Sequence, residues 1–137
     1  MFNALQNPLA LLGRLLMAYL FLPAGLAKIS GFDYMTQYVA SAGLPAPALG
    51  VVIAIVVEVI GGAALVLGLG TRLAALVLAV FTVVAAVAFH PYWSVPAESQ
   101  MIVSLLFNKN IAIAGGLLVL AAFGGGAWSL EAKRTAK

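Results

Sequence analysis

Six side chains in this chain could do chemistry, and four of them lie inside long apolar runs. Arg14, Glu58, Lys109 and Asn110 are embedded among Leu, Val, Ile, Ala and Gly, while Lys28 and His90 stand near the ends of such runs. A central Arg, Lys or Asp in a membrane helix costs about 2.5–3.5 kcal/mol on insertion scales, and Glu is taken as similar. Arg14, Glu58 and Lys109 together then cost about 7–10 kcal/mol before any pairing. A cost of that size calls for mutual pairing or for a function. Counting inward from one membrane face at the rise of an α-helix puts Arg14 at about 10 Å, Glu58 at about 18 Å and Lys109 at about 22 Å. Long basic side chains span such differences, so an Arg14–Glu58–Lys109 cluster, with Asn110 beside it, is expected inside the protein. Two cations against one carboxylate leave a surplus positive charge, which invites an anion or a strong hydrogen-bond acceptor.

Each of these residues also has a plainer role. Glu58 could be protonated and merely hydrogen-bonded. Arg14 could snorkel to the nearer interface as a topology charge. Lys28 suits an outer-leaflet anchor, and with His90 it could also line an outer mouth or a proton relay. Other chemistries are excluded. Cysteine is absent, which removes disulfides, thiol redox chemistry and cysteine-held iron–sulfur clusters. With a single His, neither a bis-histidine haem nor a His-rich metal site can form in one chain, so no metal ligands are assigned. The net charge of +3 rests on few, scattered basic residues, which argues for membrane topology and against nucleic acid.

The elements that position these groups follow from composition. Of 137 residues, 64% are hydrophobic and 8% charged, too little charge to cover a soluble surface and too much apolar material for disorder. Four apolar stretches, at about 8–29, 48–69, 72–90 and 101–123, are each long enough to cross about 30 Å of hydrocarbon. Continuous apolar runs exclude a β-barrel, whose strands alternate in polarity. The expectation is an all-α membrane protein: one domain, 1–137, forming an antiparallel four-transmembrane-helix bundle. The first stretch lacks a positive leader and contains Arg14, so it reads as a span and not as a signal peptide. A very short turn at Gly70, Thr71 and Arg72 makes a hairpin of the second and third spans. The longer connection before Pro47 carries Asp33 as a candidate N-cap, then Tyr34, Met35, Tyr38, Val39 and Ala42 at helical spacing. It reads as a short interfacial helix in the first outer loop. Arg72, Lys133, Arg134 and Lys137 collect on one side, which the positive-inside rule assigns, with both termini, to the cytoplasm. Small residues share faces with the polar ones: Ala18 and Gly25 with Arg14 and Lys28, Gly61 and Gly62 with Glu58, and Ala112 and Gly116 with Lys109.

In order and spacing these residues resemble the DoxX family of small bacterial inner-membrane proteins over nearly the full length. The matching elements are Leu12-Gly13-Arg14 leading to Phe21, Gly25 and Lys28, then Gly43-Leu44-Pro45-Ala46-Pro47. Glu58 with Gly61-Gly62 follows, then Gly68-Leu69-Gly70-Thr71-Arg72, His90, Lys109-Asn110 with Gly115-Gly116, and Trp128-Ser129-Leu130-Glu131. The tail departs from the pattern at Glu131, where Asp is more usual. The resemblance implies a four-helix bundle in the bacterial inner membrane. It also implies membership of membrane oxidoreductase systems, since the family takes its name from a subunit of a thiosulfate:quinone oxidoreductase.

Three functions therefore compete. In the favoured one the chain is a quinone-linked membrane subunit. It has no intrinsic cofactor, its electrons come from a membrane or redox partner or directly from substrate, and its buried cluster binds a quinone or an anionic small molecule. In the second it is a small solute or ion transporter subunit, for which a homodimer is expected. In the third it is a scaffold or chaperone for another membrane protein, and the charged cluster only fixes helix register.

Overall fold

The computed structural model describes residues 2–135. In chain order the elements are α1 (Phe2–Ser30), α2 (Phe32–Ser41), α3 (Pro47–Leu67) and α4 (Thr71–Phe89). A 3₁₀ turn (Tyr92–Ser94), α5 (Ala97–Phe123) and α6 (Leu130–Thr135) complete the chain. There is no strand among the described residues. α1, α3, α4 and α5 are the helices long and apolar enough to cross a membrane. Helix is the form their sequences require there, because it satisfies every backbone polar group within the segment. Two of them start earlier than the apolar runs suggest. α1 begins at Phe2 and takes Pro8 into its second turn, and α5 begins at Ala97, directly after Pro96. Asp33 does not cap α2; Gly31 holds the N-cap position and Asp33 lies in the first turn.

The spans run antiparallel to their neighbours. As α1 advances from Arg14 to Lys28, its partners on α3 retreat from Leu65 to Glu58. Gly62 sets the separation of this pair, since a Cβ there would come within 3.0 Å of the Leu22 backbone nitrogen. Close backbone approach through glycine is the usual way for membrane helices to gain packing contact without a hydrophobic driving force. α3 and α4 are joined through Gly68, Leu69 and Gly70 and meet where Leu78 packs on Gly61. α5 runs back along α4, so that Gly124 faces Arg72 at one end while Tyr92 and Trp93 pack edge-on against Phe107 at the other. Met17 and Gly116 bring α1 and α5 together, and the four spans form a row bent toward closure. Ala18, Phe21, Leu65, Ala75, Leu78, Ala79 and Leu117 make the buried core between them.

The two ends of this bundle differ. At one end the main-chain nitrogen of Ala127 donates to the Asn7 side chain, and α6 brings Lys133 and Arg134 to the same end as Arg72. This is the basic end. Lys137 lies outside the described residues. At the other end α2 folds back onto α3 and roofs the space between α3 and α4.

Candidate functional site

α1 places two cations on one stripe, about four turns apart, and they meet very different surroundings. Lys28 faces Glu58 of α3. Its ammonium donates to Glu58 Oε2 at 2.8 Å, to Oε1 at 3.0 Å and, at 3.4 Å, to the Ala24 carbonyl one turn back. Glu58 is almost fully buried, while the Lys28 side chain keeps 18% of its surface. The pair forms because Gly25 lets the helices touch here: a Cβ on Gly25 would lie 2.9 Å from the Glu58 Cβ.

The ion pair sits in the wall of a cavity of about 390 Å³. Met35, Tyr38 and Val39 of α2 cover it, Val51, Ile53 and Ala54 of α3 form one wall, and Phe81, Val84 and Phe89 of α4 form the other. Tyr38 stacks on Phe89 at 5.3 Å between ring centroids and ties the roof to α4. His90, at the C-terminus of α4, borders the same space. The volume falls at the lower end of the range for small-molecule sites, and apolar walls with a few convergent polar groups are typical of them.

Arg14 does not join Glu58. Although wholly buried, it finds main-chain oxygens near the basic end. Nη1 donates to the carbonyls of Leu65 at 2.8 Å and Val66 at 3.2 Å, and Nη2 donates to that of Trp128 at 2.9 Å. The α3 carbonyls belong to its last turn, where unpaired oxygens and the helix dipole both favour a cation. Gly68, with φ of 66°, leaves the room that the guanidinium occupies, since a Cβ there would lie 2.6 Å from Nη1. Ser129 and Glu131 fasten the tail alongside: the Glu131 nitrogen donates to the Gly68 carbonyl at 3.0 Å, and the Thr71 nitrogen to the Glu131 carboxylate at 3.4 Å.

Lys109 does not join the pair either. It is exposed on α5, Asn110 beside it is half-buried, and neither lines the cavity. The depth count misplaces it because α5 overshoots α4. Phe107 already stands beside Tyr92 and Trp93, so Lys109 lies about half a turn below the level at which α4 has ended. The expected three-residue cluster is therefore replaced by a two-residue ion pair, and its partner for Glu58 is the lysine read as an anchor. The signal was present in the spacing. Gly25 and Gly62 mark the closest crossing of α1 and α3, which sets Glu58 opposite Gly25 and Lys28. Among the described residues, no three His, Cys, Asp or Glu side chains gather to hold a metal ion.

A small all-helical chain with four membrane-length helices and an ion pair on a partly enclosed cavity is a polytopic membrane protein with a candidate ligand site. The DoxX family model matches residues 9–91, and the chain belongs to that family. The matched region includes Arg14, Lys28, Glu58 and His90 and stops before Lys109. Inner membrane protein YphA of Escherichia coli (strain K12) is 38% identical over 130 residues, covering 95% of this chain and 93% of that protein. Inner membrane protein YqjF of the same organism is 39% identical over 127 residues, covering 93% and 92%. No solved structure matches. The chain is thus a multi-pass protein of the bacterial inner membrane.

Proposed function

We propose that the chain is the membrane subunit of a quinone-linked oxidoreductase system and that its ligand site is the α2–α3–α4 cavity. The carrying observation is the Lys28–Glu58 pair in the wall of an otherwise apolar space. The pair is electroneutral. Arg14 is elsewhere and Lys109 is outside the lining, near enough only for its charge to reach His90 at the rim, so the cavity wall itself carries no surplus positive charge to attract a free anion. A neutral, lipid-soluble molecule with hydrogen-bonding oxygens suits this wall better. Lys28 has a weak third hydrogen bond, 3.4 Å to Ala24, that a ligand carbonyl can replace. Glu58 can accept a hydrogen bond from a ligand hydroxyl, and His90 can exchange a proton at the rim. A bound quinone would supply the two-electron chemistry, with electrons arriving from a redox partner. Lys28 would stabilise negative charge on the ligand oxygen, and the apolar walls would strengthen that interaction by excluding water. The same reading puts the Arg72–Lys133–Arg134 end in the cytoplasm, α2 at the opposite interface, and all 137 residues in one functional unit.

The test is native mass spectrometry of gently extracted protein, paired with small-molecule extraction of the same sample. The expected result is a stoichiometric quinone in the wild type and in Lys109→Ala, lost in Glu58→Gln and Lys28→Met. Protein free of quinone that instead retains one dominant membrane partner would replace this reading with the scaffold.

A further inference from the structure

We infer that the cavity admits only the head of its ligand and that the ligand's tail leaves sideways, between α3 and α4, into the lipid. This rests on the reading of the cavity as a ligand site and narrows the ligand to a membrane-dissolved amphiphile. Three observations carry it. The space is small: about 390 Å³ holds a substituted ring and little more, so a long chain attached to that ring must pass out through a wall. The cavity is only partly enclosed. α3 and α4 are in contact where Leu78 covers Gly61, and two of the residues that line the cavity above that contact, Ile53 of α3 and Val84 of α4, are 51% and 60% exposed. Both point away from the core on the faces of spans that meet hydrocarbon. The route along the bundle axis, by contrast, is covered. Met35, Tyr38 and buried Val39 of α2 lie over the space, and the Tyr38–Phe89 stack ties that roof to α4. The polar groups are arranged to match, because the buried carboxylate of Glu58 lies inside and the apolar residues line the way out.

The inference concerns where the tail rests at equilibrium, so it is tested by affinity and not by turnover. Purified protein in lipid nanodiscs is titrated with two probes, a long-tailed isoprenoid quinone and a tail-less tetramethyl quinone, with bound ligand read by native mass spectrometry. Val84→Trp and, separately, Ile53→Trp enlarge the two exposed lining side chains through which the tail would leave. Each is expected to weaken the tailed quinone at least tenfold and the tail-less one less than threefold. Equal weakening of both probes, or of neither, in both variants overturns the lateral tail. Binding of neither probe to the wild type overturns the quinone reading itself, and the lateral tail with it.

Discussion

Arg14 and Lys28 are both cations on one face of α1, yet one is sealed and the other is poised. Arg14 is wholly buried and held by fixed main-chain oxygens from the end of α3 and from the tail. Lys28 is held by a side chain that can move, retains part of its exposure and borders empty volume. A buried charge tied to backbone has one arrangement and therefore fixes a fold. A buried charge tied to a titratable side chain at a cavity has alternatives and can answer a ligand.

The comparison is broken most severely at Arg14. Arg14→Met leaves the buried Leu65 carbonyl unpaired, at about 1–3 kcal/mol, and removes two part-buried hydrogen bonds at a smaller cost each, so a loss of about 3 kcal/mol is expected in thermal unfolding of the detergent-solubilised protein. Arg14→Lys keeps the charge but not the fork, and should recover only part of the loss. Next is the crossing that aligns both cations. Gly62→Leu drives a side chain into the Leu22 backbone and should cost about 1–3 kcal/mol in the same measurement. Glu58→Gln comes third, at about 1–2 kcal/mol. The freed ammonium is partly exposed and its stem can snorkel, which spares it the larger penalty of a sealed charge. Its effect on quinone retention should be far larger than its effect on stability, and the reverse holds for Arg14→Lys. Lys109→Ala, on an exposed site outside the cavity, should shift stability by less than about 0.5 kcal/mol and leave ligand retention unchanged.

The helices were readable because each carries a continuous apolar run long enough to span, and hydrophobicity is a local property. Arg14 and Glu58 were readable as buried for the same reason, whereas Lys109, in an equally apolar run, is exposed. The pairing was not readable. Depth counted from the edges of apolar runs assumes that all spans start and stop in one plane, whereas α1 and α5 extend beyond α3 and α4 at opposite ends. That overshoot shifts Arg14 toward Leu65, brings Lys28 level with Glu58 and lifts Lys109 out of the middle. Glycine positions carried the correct register, because Gly25 and Gly62 can only be explained by a close crossing. The cage around Arg14 could not be read from spacing at all, since carbonyl acceptors are the same at every residue.

The bond from Arg14 to Trp128 joins the first span to the last turn before α6, across 114 positions of sequence. The tail that closes this bond is therefore synthesised after every span. Arg14 therefore gains this acceptor only after every span has been made, so the environment of a buried cation in the first helix depends on a segment that follows the fourth.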